Sequence, residues 1–430
     1  MNTITCEIIS TGTEILQGLY PDTNAQIISR RFKDLGIPVQ YHTAVGDDKD
    51  TLAFALKIAR YRSDIIVMTG GLGPTEDDLT REVVARLYDR VLKKDEKAEQ
   101  MICEHFTRRR IPMPESNLIQ AMVPEGCIPL YNFPGTAPGF IIHEKERKKA
   151  LIALPGPQRE WMPMFESTVT EFLKAWFPTD MYIETLTLRT INIPESKINE
   201  QISPLFGAIT GVTLGLLAKP GKVDIRATAC ASTREETHDL LQSARKKILA
   251  CIDTQSVYAE KEDASIEETV ARLLANQGQT LGVAESCTGG LVSKRLTDIP
   301  GSSAYFKEGI IAYSSEAKIK YLGVRERIIN QYGAVSGEVA SEMASGMKRI
   351  SGADLAVSIT GIAGPSGGTI SKPVGLVYFG LATKDHVSTW ERRFTGDREM
   401  IRERAADFAL DILRRGLLKS PELYRYESKE

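Results

Sequence analysis

An excess of charge of either sign is the first thing this 430-residue sequence lacks: 54 lysines and arginines stand against 56 aspartates and glutamates, a formal net charge of −2. No global field can hold a phosphate backbone or an anionic membrane, so any anion site must be local. Long hydrophobic runs are missing too. The uncharged apolar stretches at Ile65–Met68 and Val374–Ala382 are far shorter than the roughly 20 residues that cross a bilayer. Met1 leads into the alternating segment Thr5–Ser10 without the basic and apolar regions of a signal peptide, which predicts a cytoplasmic protein with no membrane partner. The six cysteines (Cys6, Cys103, Cys127, Cys230, Cys251 and Cys287) show no metal-ligand spacing and fit reduced thiols better than disulfides. The five histidines stand far apart with no His-x-x-x-His arrangement, which argues against the common zinc sites.

What is present is an ordinary globular composition, 42% hydrophobic and 26% charged, which excludes disorder and fibrous structure. The length suffices for about three domains, each with its own core. Residues 1–172 alternate apolar runs with helical patterns, with strands predicted at Cys6–Ser10, Val39–Ala44 and Ile65–Thr69 and helices at Asn24–Leu35 and Thr51–Arg60. That is a βαβαβ unit, a parallel sheet wrapped by helices. Ligands of such folds bind beyond the C-terminal strand ends, here Gly12–Gly18 and Gly70–Thr80.

Residues 181–258 read as a smaller α+β module. Strands Glu184–Ile191, Thr213–Ala218 and Val223–Ala229 accompany helices Glu195–Leu205 and Arg234–Ile252, with a turn at Lys219-Pro220-Gly221-Lys222. The charged run Glu260–Asp263 predicts a hinge. Alternation resumes over residues 264–420, with strands at Leu281–Glu285, Gly309–Tyr313, Ala353–Thr360 and Val374–Thr383, and helices at Leu291–Thr297, Ser315–Leu322, Gly337–Ile350 and Asp397–Leu418.

In the first domain, Gly70-Gly71-Leu72-Gly73-Pro74-Thr75-Glu76-Asp77-Asp78-Leu79-Thr80 follows a strand and opens a helix, so its amides and the helix N-terminus can receive a phosphate. The carboxylates Glu76, Asp77 and Asp78 would repel that phosphate unless a divalent cation lies between them, and oxygen ligands suit magnesium or manganese. The alternative is an acidic first turn that merely complements the helix dipole. Thr11-Gly12-Thr13-Glu14 ends the first strand, Asp22-Thr23-Asn24 caps the next helix, and Gly135-Thr136-Ala137-Pro138-Gly139 is a second backbone approach to a ligand.

These blocks, together with Asn117, Gln120 and Ala121, resemble in order and spacing the N-terminal half of the competence/damage-inducible CinA family, a domain similar to molybdopterin-binding proteins. The resemblance implies a three-layer molybdopterin-binding-like fold. It also implies an ADP-ribose pyrophosphatase, splitting ADP-ribose into AMP and ribose 5-phosphate with a divalent cation (magnesium, manganese or cobalt). Gly12, Glu14, Asn24, Gly70, Gly71, Gly73, Thr75, Gly135 and Thr136 would line the substrate site, and Asp77 and Asp78 would meet the metal. A rival reading is a molybdopterin- or nucleotide-binding module without turnover. The stretch Leu154–Met162 also resembles the family, although Trp161 departs from its usual methionine and reads as core filling.

In the last domain, Ala284-Glu285-Ser286-Cys287-Thr288-Gly289-Gly290 ends a strand and starts a helix, which places Ser286 at a sharp turn suited to a nucleophile beside an oxyanion site. His386 is poorly placed as its base, whereas a partly desolvated lysine has a lowered pKa and can accept a proton; Lys318 is the candidate. Three alternatives remain open on the residues alone. Ser286 or Thr288 can simply cap the helix, Lys318 can be a solvated charge, and Cys287 can be the nucleophile, since a thiol at a helix N-terminus ionises easily.

Glu285–Gly290, Gly301-Ser302-Ser303, Tyr313–Lys318, Gly333–Ser336, Thr360–Pro365, Lys372–Gly375 and Gly396-Asp397-Arg398 are together similar to nicotinamide-nucleotide amidase, the C-terminal domain of the same family. The resemblance implies a second α/β domain that hydrolyses the carboxamide of nicotinamide mononucleotide (NMN) to nicotinate mononucleotide and ammonia, with no cofactor. It makes Ser286 the nucleophile and Lys318 its proton acceptor. Tyr313, Thr360 and Arg398 would orient substrate or stabilise charge, and Thr288, Gly289, Gly290, Gly361 and Gly364 would bind it. The middle module resembles a divergent KH fold, but residues 181–258 hold no Gly-x-x-Gly clamp and no basic stripe, so nucleic acid is not an expected partner. Its expected role is to hold the catalytic domains apart and build a homodimer. A competence-linked scaffold that only binds partners is the third reading, and Ser286, Lys318 and Arg398 together argue against it.

Overall fold

The computed structural model describes residues 4–419; the outer ends of the first and last expected domains, residues 1–3 and 420, lie outside the described residues. The chain divides into two compact units, one running through Glu184 and taking in Cys230–His238, the other holding Thr185–Ala229 and the chain from Asp239 onward. Among the described residues no helix is long and apolar enough to cross a membrane.

The first unit is built on a six-stranded sheet in the order Val39–Val45, Cys6–Thr11, Ile65–Thr69, Lys149–Leu154, Gly139–Glu144, Ile128–Leu130. The first four strands are parallel, and the last two pair antiparallel with their neighbours. The purely parallel sheet expected from the apolar runs is thus a mixed one. Both faces are covered: Ile8, Ile65 and Val67 point into one core with Ile28, Phe32, Trp161 and Phe165, while Ile9, Ile66 and Met68 point into the other with Leu52, Leu56 and Phe140. Successive strand residues face opposite sides, so a strand buried twice is apolar without alternation. Helix Thr23–Asp34 is capped by the Asp22 carboxylate, which accepts from the Ala25 amide at 2.9 Å. Trp161 is fully buried, as core filling requires.

The second unit contains two sheets. The middle module orders its strands Val212–Lys219, Lys222–Ala231, Tyr182–Ile191, Val257–Ala259; the last of these escaped the sequence reading because three residues carry no periodicity. The C-terminal sheet runs Phe306–Ile311, Leu281–Glu285, Leu355–Gly361, Leu376–Ala382, Val387–Arg393, three parallel strands followed by an antiparallel pair. Val283, Val357 and Ile359 face one core and Ala284 and Ala356 the other. Helix Ile266–Gln277, also missed in the sequence, begins at a capping box in which Ser265 and Glu268 satisfy each other's backbone amides.

Ile191 and Tyr258 of the middle module belong to the core of the C-terminal domain. One expectation is corrected: Glu260–Asp263 is not a free hinge, since Arg245 holds Glu260 at 2.5 Å, Arg226 holds Glu262 at 3.1 Å, and Arg189 donates to the Ala264 carbonyl.

Candidate functional site

The first candidate site is an open cavity of about 410 Å³ where three parallel strands end. Cys6–Thr11 delivers Thr11, Gly12 and Glu14; Ile65–Thr69 delivers Gly70, Gly71 and Gly73; Lys149–Leu154 delivers Pro155, Gly156 and Pro157. Thr136, Asp77 and Asp78 line it as expected. At Gly70, with φ of +96°, a Cβ would meet the Thr11 hydroxyl at 2.6 Å; only glycine admits both that conformation and that approach.

Three expected lining residues stand behind the wall instead. Asn24 donates to the Gly156 carbonyl at 2.7 Å and accepts from the Trp161 indole at 3.0 Å, so its amide braces the third loop. Thr75 donates through both its amide (2.9 Å) and its hydroxyl (2.6 Å) to Asp78 Oδ2, closing the acidic turn on itself. Gly135 leaves room for the Glu160 carboxylate, and its amide donates to Asn132 Oδ1 at 2.7 Å.

The sequence reading also missed members of the wall. Asp47 and Glu160 line the cavity, beside Gln120 of the quoted family motif. Arg81 is buried beneath it and donates to the Leu72 carbonyl at 2.6 Å, and burial pulls its guanidinium down to about 10 against the pull of Asp78. An arginine inside the first turn of a helix gave no local signal of such a role. The carboxylates do not make a cage: among the described residues no three His, Cys, Asp or Glu side chains are grouped to hold a metal ion. The donors suit a magnesium or manganese ion bound by one or two carboxylates and completed by water and substrate phosphate oxygens.

The second candidate site brings a buried serine and a buried lysine into contact. Ser286 leaves the end of strand Leu281–Glu285, and its amide donates to the Ile359 carbonyl of the next strand at 3.0 Å. Lys318, on helix Ser315–Leu322, brings Nζ within 2.9 Å of Ser286 Oγ. Ser286 is 6% and Lys318 1% exposed. Burial pulls the ammonium down to about 8. Nζ also donates to the carbonyls of Ala312 (2.9 Å) and Tyr313 (3.2 Å). In the neutral amine those two carbonyls take the two N–H bonds, and the lone pair is left facing the serine hydroxyl.

The alternatives resolve on geometry. Neither Ser286 nor Thr288 caps helix Leu291–Thr297; its N-cap is Gly290, without a side-chain bond. The capping falls to buried Glu285, whose carboxylate accepts from the amides of Gly290 (2.9 Å), Val292 (3.2 Å) and Ser293 (2.8 Å) and from the Ser293 hydroxyl (2.7 Å). Cys287 is buried and its thiol is pushed up to about 12, chiefly by desolvation, which disfavours the thiolate that a cysteine nucleophile needs.

Tyr313 and Arg398 meet at the rim: Arg398 donates to the Tyr313 hydroxyl at 3.1 Å and to the Gly364 carbonyl at 2.7 Å. Gly364 thus takes part through its carbonyl. Gly361 is packed against Leu376 and Val377 at the end of its strand and closes the sheet. Thr360 is buried and donates to the Ala334 carbonyl at 2.9 Å, so it fixes the loop before helix Gly337–Ser351. The amides of Gly289 and Gly290 are spent on the Ser286 carbonyl and on Glu285; they build the turn. Among the described residues the buried Thr288 hydroxyl has no partner. Arg402, one turn beyond Arg398 and missed in the sequence, donates to the Thr288 carbonyl at 2.8 Å.

Comparison with known proteins follows the same division. Residues 7–175 match the probable molybdopterin binding domain, 185–259 the damage-inducible protein CinA KH domain, and 263–417 the CinA C-terminal domain. A CinA-like protein of Dictyoglomus turgidum is 46% identical over 413 residues, 96% of this chain and 99% of the relative. A putative competence-damage inducible protein of Caldicellulosiruptor saccharolyticus is 45% identical over 412 residues, again 96% and 99%. Among solved structures, a competence-damaged protein (CinA) superfamily protein from Klebsiella pneumoniae is 36% identical and covers 36% of this chain and 96% of its own, with a TM-score of 0.35. The chain belongs to the CinA family.

Proposed function

We propose that this CinA-family chain is a two-site nucleotide hydrolase whose second site is a nicotinamide-nucleotide amidase. The observation that carries the reading is the buried contact of 2.9 Å between Lys318 Nζ and Ser286 Oγ. A lysine brought to about 8 by desolvation is in part a free amine near neutral pH, and an amine aimed at a hydroxyl is a general base.

The chemistry follows from those atoms. Ser286 Oγ attacks the carboxamide carbon as its proton passes to Lys318 Nζ. The negative charge on the carbonyl oxygen falls toward the amides of Cys287 and Thr288, the first of which follows the nucleophile directly. Lys318 then returns the proton to the leaving nitrogen, which departs as ammonia and leaves an ester on Ser286. Water attacks that ester, Lys318 takes its proton, and the nicotinate product leaves as the serine hydroxyl is restored. Arg398, exposed at the rim and tethered to Tyr313, supplies the cation for the substrate phosphate. Purified protein should release ammonia from NMN in the presence of a metal chelator; absence of any release overturns this reading.

For the first site we infer a divalent-metal-dependent cleavage of ADP-ribose. The glycine-lined mouth admits a pyrophosphate, and Asp77 and Asp78 would hold the cation, which offsets the phosphate charge when bound. Binding of ADP-ribose without AMP formation under magnesium, manganese or cobalt would instead make residues 1–172 a binding module.

A further inference from the structure

The long helix Arg398–Leu417 touches the second site at one end and the middle module further along. Its first turns carry Arg398 and Arg402, which hold the Gly364 and Thr288 carbonyls. Its third and fourth turns carry buried Asp407 and Asp411. Asp407 Oδ1 accepts from Arg295 at 2.9 Å, and Arg295 lies on Leu291–Thr297, the helix that begins directly after the nucleophile turn. The same oxygen meets Lys222 of the middle module at 2.7 Å. Asn192 of the module donates to Asp411 at 3.1 Å, and Arg414 donates to the Gln255 carbonyl at 2.5 Å. The hairpin tip reaches the helix closely enough that a Cβ on Gly221 would lie 3.9 Å from Asp407.

The charges around Asp407 are finely divided. Arg295 alone serves three carboxylates: Glu267 at 3.0 Å, Asp407 at 2.9 Å and Glu403 at 3.5 Å. Lys222 is the second cation. Without it one guanidinium must hold three carboxylates, two of them largely withdrawn from water, and the cheapest relief is to move the helices apart. Both helices end at the nucleophile turn.

We propose that Lys222 is a positioning residue of the second site: by sharing Asp407 with Arg295 it locks the arginine-bearing helix onto the nucleophile helix, so that the middle module sets the geometry of the Ser286 turn. The proposal deepens the amidase reading, and its first readout does not depend on it. In the full chain, Lys222→Met should speed hydrogen exchange of the amides across residues 286–297 by about fivefold, with Lys222→Arg restoring the wild-type rate. In the same variant kcat/KM for NMN should fall roughly tenfold, carried mainly by KM because Arg398 and Arg402 shift together. Lys222→Gln gives the same readouts should Lys222→Met not fold. Unchanged exchange and unchanged KM beside a lowered Tm would make Lys222 merely structural and overturn the proposal. A wild-type chain that releases no ammonia would instead overturn the amidase reading, while exchange still judges Lys222.

Discussion

The two sites stand at the ends of parallel strands, yet one is wired and the other is not. At the second, a buried serine and a buried lysine already touch, and the burial that hides the lysine pulls its ammonium down to about 8. At the first, five carboxylates line an open mouth without a metal-holding group among the described residues. A buried serine held against a lysine of lowered pKa narrows the chemistry that the proposed function can carry. An open acidic cradle defines only what charge it can receive.

The contrast breaks most sharply at Ser286. Ser286→Ala should lower ammonia release from NMN by roughly four orders of magnitude and leave ADP-ribose cleavage untouched; near wild-type amidase rates in that variant would remove the nucleophile assignment. Next comes the base. Lys318→Ala should cost about a thousandfold. In the wild type the reactive form is the neutral amine, so kcat/KM should fall as pH drops through about 8, by about tenfold per unit well below it, and level off above. A flat profile between pH 6 and 9 would count against Lys318.

The first site predicts smaller effects. Asp78→Asn removes one charge facing the cation and also weakens the acceptor for Thr75, so metal-dependent ADP-ribose cleavage should fall by roughly a hundredfold. Titration with magnesium should show a raised metal requirement, and an unaltered metal dependence would detach Asp78 from the cation. The smallest effect is expected at Cys287, whose thiol burial holds up near 12: Cys287→Ala should keep amidase activity within about threefold of wild type. A loss comparable to that of Ser286→Ala would reverse their roles.

The strands and helices that the sequence reading named, and both glycine turns, were legible because their signals are local; strands such as Gly139–Glu144, Lys149–Leu154 and Val387–Arg393 and the helix Glu96–Arg109 were not read. Apolar runs such as Ile65–Thr69 and the Ser286–Gly290 turn need only neighbouring residues to be read. The resemblance to a known family added residues that sequence distance separates, including Tyr313 and Arg398. Some of the expected site residues also serve the scaffold: Asn24, Thr75 and Thr360 through their side chains, Gly135 through its amide and Gly361 by its close packing. Residue type shows what a group can bond to, and only packing shows whether that capacity is already used.

By itself the sequence determined the order of elements, the glycine turns and the chemical types at each strand end, since these follow from periodicity and local backbone sterics. Tertiary structure alone decided the rest. It withdrew Lys318 from water and aimed its lone pair at Ser286, made Glu285 the cap, and buried the Cys287 thiol. It also joined the middle module to the catalytic helices through Lys222 and Asp407, which lie 185 positions apart in the chain. Desolvation and long-range ion pairs depend on what surrounds a group in space, and no window along the chain contains that information.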